Sequence, residues 1–331
     1  MLSQFPRVIL AHLPTPLEHA PRLSEALGGP QIYIKRDDCT GLATGGNKTR
    51  KLEFVMADAL ENKADVVITQ GAVQSNHARQ TAAAACKLGM ACEMIFEHRV
   101  TDADDAYLNS GNVFLDRMYG ATIHEVEKGT DMDAAMETRA DELRAEGKTP
   151  YIISGGASNK IGALGYIDCA LETMTQADEQ EVDIGHIVHA TGSGGTQAGL
   201  MVGLQTSGSD IGLLGIGVAS PYEEQIDKVW RVAEPTAEYV GSPGCVRRED
   251  IKVNTDYTGE GYGLSTPEME EAVLMLARLE GILFDPVYSG KGLAGMIDLV
   301  RKGYFDQSEN IVFLHTGGSA GLFGYSSILS L

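Results

Sequence analysis

His186-Ile187-Val188-His189-Ala190-Thr191 runs directly into Gly192-Ser193-Gly194-Gly195-Thr196, and Gln197–Thr206 follows with helical character. A short apolar run that opens into glycines and then a helix is the strand–loop–helix unit of an α/β sheet. The same unit recurs on both sides of this one. Upstream, strands are predicted at 31–36, 65–70, 91–97, 121–126 and 151–154. Helices are predicted at 49–62, 78–88, 109–118, 131–146 and 161–178. Downstream, a strand is predicted at 211–218, a helix at 221–233, a helix at 266–280 capped by Ser265 or Thr266, a short strand at 282–284 and a last strand at 310–315. Alternation of this kind implies mostly parallel sheets covered by helices on both faces. No composition shift marks a linker.

The composition bounds the function. The 331 residues are 43% hydrophobic, enough for one large or two smaller α/β domains. A formal charge of −20 repels nucleic acid and anionic membranes, so neither is expected as a partner, and a site for an anion must be built locally. Five scattered cysteines without a Cys-x-x-Cys pair argue against a disulfide framework and for the cytoplasm. The first seventeen residues have no apolar core of the secretory type, and no run reaches the ~18 apolar residues of a membrane span. His186 and His189, three apart on a strand, face opposite sides, so no metal site is expected.

Two glycine loops carry the chemistry. At Gly192–Thr196 the free amides and the dipole of a helix start favour a phosphate, and Ser193 and Thr196 add hydroxyl donors. The loop is not a dinucleotide fingerprint, because Gln197 stands where the third glycine is needed and the next strand ends at Ala219-Ser220 without an acid. The second loop, Gly45-Gly46-Asn47-Lys48-Thr49-Arg50, sets a lysine at the end of a glycine turn where a helix begins. It fails as a nucleotide P-loop, since Asn47 separates the glycine from Lys48. A lysine amine kept accessible for an imine, together with a phosphate cradle, suggests pyridoxal phosphate.

Polar side chains gather at other predicted strand ends. Gln74-Ser75-Asn76-His77 lies between a strand and a helix, where an open sheet places its ligand crevice. Ser75 or Thr81 also suits a helix cap. Tyr288, beside Ser289 and Gly290, and Tyr262, between two glycines, suit the wall of a cleft.

Taken in order, Leu13–Leu17, Lys35–Asp38, Gly45–Lys51, Gln74–His77, Gly192–Thr196, Asp285–Tyr288 and His315–Gly318 resemble the fold type II pyridoxal-phosphate enzymes related to tryptophan synthase β. More closely, they resemble the branch containing 1-aminocyclopropane-1-carboxylate deaminase, D-cysteine desulfhydrase and L-cysteate sulfo-lyase. The resemblance covers essentially the whole chain. It implies a large cofactor-binding domain from residues 1–50 and 161–331, a small domain from 51–160, and an active site in the cleft between them. It implies a cytoplasmic homodimer acting on a small anionic amino acid.

The roles it implies follow the motifs. Lys48 is the Schiff-base lysine and Asn76 holds the phenolic oxygen. Gly192, Ser193, Gly194, Gly195 and Thr196 form the phosphate loop. Ser75 contacts the substrate carboxylate or moves a proton, Tyr262 and Tyr288 are the active-site tyrosines, and Thr316 approaches the pyridine nitrogen. Thr44, Gln74, Ser75, Asn76, Tyr262 and Tyr288 are expected around the substrate. The deaminase branch has an acid after the second tyrosine, and this chain has Ser289. A hydroxyl partner leaves the ring nitrogen largely neutral, which suits departure of a β group better than opening of a cyclopropane. The expected reaction is elimination from L-cysteate to pyruvate, sulfite and ammonia. Release of sulfide from D-cysteine is the alternative, and deamination of the cyclopropane amino acid a more distant one.

Overall fold

The computed structural model describes residues 2–100 and 103–328. Among the described residues ten strands form two sheets: β1 (Leu17–His19), β2 (Gln31–Lys35), β3 (Val66–Ala72), β4 (Ala91–Glu97), β5 (Thr122–Val126), β6 (Pro150–Ile152), β7 (Ile184–Thr191), β8 (Gly212–Gly217), β9 (Val253–Asn254) and β10 (Asn310–Leu314). The first sheet has the order β1-β2-β10-β7-β8-β9 and the second β5-β4-β3-β6. Among the described residues only the β1–β2 pair is antiparallel. The fold is the α/β arrangement read from the sequence.

Parallel strands covered on both faces must bury both sets of alternate side chains. On β10, Ile311 and Phe313 join one core with Ile32, Val188 and Ile216, beneath helices Pro267–Glu280 and Ser289–Arg301. Val312 and Leu314 face the other way, into a core with Ile187, Tyr166 and Leu200 from helices Leu164–Glu179 and Gly195–Thr206. The second sheet repeats the scheme. Val67, Met94 and Phe96 pack on helices Lys48–Glu61 and Asn76–Leu88, while Val66, Ile68 and Ile95 pack on helix Met132–Ala145.

Two readings are corrected. Ile282–Phe284 is not a strand; it is an irregular segment with Ile282 and Phe284 buried and Leu283 exposed. Burying two of three alternate side chains resembles a strand pattern, but no ladder partner lies beside it. The helix expected to end at Ala233 continues to Tyr239 through Pro235, because Val232, Ala233, Thr236 and Ala237 keep one apolar face buried.

The parallel strands of both sheets turn their carboxyl ends toward one cleft. Its wall takes residues from the chain following β2, β3, β4, β6, β7, β8 and β10. Ligand crevices of open α/β sheets form at such ends.

Candidate active site

The cleft holds a cavity of about 270 Å³. Lys48 is the first residue of helix Lys48–Glu61 and reaches this cavity. The turn before it depends on Gly45, whose φ is +78° and whose Cβ, if present, would lie 1.8 Å from the Asp38 carbonyl oxygen. Behind the turn lies a buried ionic cluster. Arg50 donates from Nε and Nη2 to the two Asp37 carboxylate oxygens, at 2.9 Å each, and from Nη2 to Glu172 at 2.7 Å. Thr15 and Tyr166 also donate to Asp37, at 2.8 and 2.6 Å. This cluster anchors the segment that carries Lys48.

The Lys48 amine donates to Asn47 Oδ1 at 2.8 Å. Burial pushes it down to about 8, against the pull of nearby Asp285. An amine so shifted is neutral often enough near physiological pH to act as nucleophile or base.

The glycine loop after β7 forms another wall. Gly194 has φ +86°, and a Cβ there would lie 2.6 Å from the Lys228 carbonyl oxygen. Helix Gly195–Thr206 then begins with its first amides free of helical partners. Thr196 Oγ1 accepts from Asn47 Nδ2 at 3.0 Å, which leaves the Thr196 proton free to donate. Ser193 and Ser158 hydroxyls meet at 2.7 Å.

Behind this loop stands Lys51, one helical turn after Lys48 and 1% exposed. Its amine donates to the Gly156 carbonyl and Ser158 Oγ, at 3.1 and 3.3 Å. Among the described residues it has no carboxylate partner, and burial drives it well below the ordinary lysine range. A buried amine beside free amides and hydroxyls fits a phosphate, whose charge would offset the burial and favour the protonated form.

Ser75 caps helix Asn76–Leu88, accepting from Ala78 N at 3.1 Å, so its own proton is free. Asn76 Oδ1 accepts from Arg79 Nη1 at 3.1 Å and Asn112 Nδ2 at 3.0 Å. Both acceptor directions are thereby used, and Asn76 is fixed as a donor at the cavity. Tyr288 donates to the Tyr262 hydroxyl at 3.0 Å, with the rings edge to face. Burial raises both phenols, so they stay neutral donors at physiological pH. His77 also lines the cavity, and burial keeps it neutral.

Of the residues singled out in the sequence, the cavity brings together Lys48, Ser75, Asn76, Gly192, Ser193, Gly194, Thr196, Tyr262, Tyr288 and Thr316. Four others are not in its wall. Thr44 is exposed in the turn before Gly45. Gln74 is committed to structure, donating to the Tyr107 and Ser110 carbonyls and accepting from Asn112 N. Gly195 is buried against Ser158 and Lys51. Ser289 is fully buried; it donates to Asp285 Oδ1 at 2.5 Å and accepts from Asp285 N at 2.9 Å. Thr316, after β10, lines the cavity in this region. Lys51, Arg99, Asn47 and Lys228 were not anticipated. Lys51 had a signal, since residues three apart share a helix face.

A lysine at a helix start, a phosphate cradle and hydrogen-bond donors between two α/β sheets define the site class of the fold type II pyridoxal-phosphate enzymes. The family model described as pyridoxal-phosphate dependent enzyme matches residues 8–317, and the chain belongs to that family. It is 45% identical over 324 residues to D-cysteine desulfhydrase of Salmonella typhi, covering 98% of this chain and 97% of that protein. It superposes on a crystal structure of an ACC deaminase homologue with a TM-score of 0.89 and 40% identity, over 99% and 96% of the two chains. A crystal structure of a threonine deaminase shares the fold at 18% identity, with a TM-score of 0.66 and 92% coverage of each chain. The protein is thus a pyridoxal-phosphate-dependent lyase. Among the described residues, no helix is long and apolar enough to cross a membrane.

Proposed function

We propose that the protein eliminates the β sulfur substituent of a cysteine-type amino acid, releasing pyruvate and ammonia, with D-cysteine as substrate and sulfide as the leaving group. The observation that carries this reading is the 45% identity to D-cysteine desulfhydrase across nearly the full length of both chains. The geometry supports it. Pyridoxal phosphate, when bound, withdraws electrons from the α-carbon and so acidifies its proton. The Gly192–Thr196 loop and Lys51 suit its phosphate, Asn76 its phenolic oxygen, and Thr316 its ring nitrogen.

In this reading the substrate carboxylate binds at Ser75, at the start of helix Asn76–Leu88. The Lys48 amine takes the α-proton. The Cβ–S bond breaks with its electron pair on sulfur, and the Tyr262–Tyr288 pair donates toward the departing group. Water then completes the conversion to pyruvate and ammonium. We also assign residues 1–50 with 161–331 to a large domain and 51–160 to a small one. In support, the second sheet draws all its strands from 66–152 and the first sheet draws none from there.

A second reading, L-cysteate with sulfite as leaving group, is favoured by one observation: the side chains lining the cavity include cations and no carboxylate among the described residues. Purified protein incubated with each amino acid separates the two. Pyruvate with sulfide from D-cysteine supports the first reading, and pyruvate with sulfite from L-cysteate replaces it with the second. No pyruvate from either rejects both.

A further inference from the structure

Arg99 lines the cavity, and the reaction above does not use it. It follows the carboxyl end of β4 by two residues, on the second sheet. Its guanidinium lies 5.3 Å from the centroid of the Tyr262 ring, beside the tyrosine pair. Glu97 holds it from behind, accepting from Nε at 2.5 Å, and Glu97 is itself fixed by Gly129 N at 2.9 Å. Glu97 does not line the cavity, whereas Arg99 does. The two terminal nitrogens of Arg99 have no hydrogen-bond partner among the described residues, so the face of the guanidinium suited to a bidentate anion is free.

The other cations are accounted for. Lys48 is the reactive amine. Lys51 and Lys228 flank the glycine loop, and Lys228 is paired with Glu224 at 2.6 Å. The α-carboxylate has the helix start at Ser75. An arginine whose terminal nitrogens have no partner among the described residues, next to the tyrosines, is left for the remaining part of an amino-acid substrate, its side chain.

We propose that Arg99 is the specificity-determining residue that receives a negatively charged β substituent, in the substrate or as it departs. The substrate class is therefore amino acids whose β group is anionic or leaves as a basic anion: a thiolate or a sulfonate. This rests on the elimination reading above. The balance needs no further reactant: the α-proton goes to Lys48, and the sulfur leaves with the Cβ–S electron pair into the field of Arg99. A chloride leaving group, a far weaker base, needs this help much less.

The test compares kcat/KM of the wild type and Arg99→Gln on D-cysteine, L-cysteate and β-chloroalanine, alongside binding of aspartate and alanine followed by the visible band of the holoenzyme. We expect the sulfur substrate to lose about 10²-fold, the usual loss on removing one donor to a developing anion. The loss on β-chloroalanine should be at least about tenfold smaller, and Arg99→Lys, which keeps the charge but loses the planar fork, should recover only part of the difference. Aspartate, which has an anionic β group that cannot leave, should weaken in Arg99→Gln at least about tenfold more than alanine. Equal losses on sulfur and chloro substrates, or equal effects on aspartate and alanine, overturn the assignment. A wild-type protein that eliminates none of the three compounds refutes the lyase reading, and the aspartate-to-alanine comparison then decides Arg99 alone.

Discussion

Asp37→Asn tests whether the ionic cluster under the Lys48 turn holds the site in place. Asp37 is 0% exposed, and its carboxylate accepts five hydrogen bonds, two from Arg50 and one each from Thr15, Tyr166 and the Cys169 thiol. Asparagine has nearly the same shape, but one of its two terminal groups is a donor and meets donors, and the negative charge is gone. Arg50, also 0% exposed, is then partly uncompensated. Breaking a buried ion pair from one side costs about 3–5 kcal/mol. Glu172 keeps two bonds to Arg50, at 2.7 and 3.1 Å, so the lower figure applies. At about 2 °C per kcal/mol, the large-domain end of the range, Tm falls by about 6 °C. The assay is thermal unfolding of the apoprotein by circular dichroism. The sign of the pH dependence follows from the pair: burial alone would raise the Asp37 carboxyl, but Arg50 overrides it and holds it below its ordinary value. The stabilisation is thus present above the ordinary carboxylate range near ~4 and lost as pH falls through the lower folded value. The Tm gap between wild type and variant should close in acid. A Tm within about 2 °C of wild type at pH 7, a shift worth only about 1 kcal/mol, refutes the reasoning.

Lys48→Ala should remove the visible band of lysine-bound cofactor and reduce turnover by at least about 10³-fold, as expected for loss of a covalent nucleophile and base; an unchanged absorption spectrum contradicts its role. The rate at which apoprotein takes up pyridoxal phosphate should rise as pH passes through about 8, because burial sets the Lys48 amine there and only the neutral amine attacks the aldehyde; a pH-independent rate between 7 and 9 counts against it. Gly194→Ala should weaken cofactor affinity and destabilise the fold by about 1–3 kcal/mol, since the residue has φ +86° and its methyl would press on the Lys228 carbonyl; equilibrium dialysis and a denaturant midpoint equal to wild type would contradict this.

The sheets were legible because their strands are short apolar runs bounded by glycine and polar residues, and that pattern survives without knowledge of partners. Helix Ser289–Arg301 was not read, because Gly290, Gly292 and Gly295 punctuate it like a loop. The structure gives their reason: a Cβ on Gly292 would sit 2.9 Å from Ala190 Cβ, and one on Gly295 2.7 Å from Ile216 Cγ2. The helix needs small residues to lie flat on β7 and β8, a tertiary demand invisible locally. The same limit governed the site. Lys48 and Gly192–Thr196 announce themselves through backbone geometry encoded nearby. Gln74 and Ser289 carry polar groups as suitable as any, but folding commits Gln74 to Asn112, 38 residues on, and Ser289 to Asp285, four residues back. Arg99 was missed for the converse reason, since an arginine two residues beyond a strand reads as an ordinary surface charge.

The charge of the chain and the character of the cavity also belong together. A protein of formal charge −20 repels an anionic substrate at long range. That repulsion is screened over about 8 Å at physiological ionic strength. In the proposed reading Arg99 acts at contact distance inside a partly desolvated cleft, where screening is weak and a charge counts for more than on the surface. The many carboxylates are therefore no obstacle to anion binding so long as they stay off the cavity wall, and among the described residues they do. Glu97 approaches nearest in function, and it spends its charge on the Nε side of Arg99, away from the free guanidinium face. A net acidic surface and a cationic cleft are thus compatible: in the proposed reading the first repels polyanions, and the second admits a small anion whose charge is matched group by group.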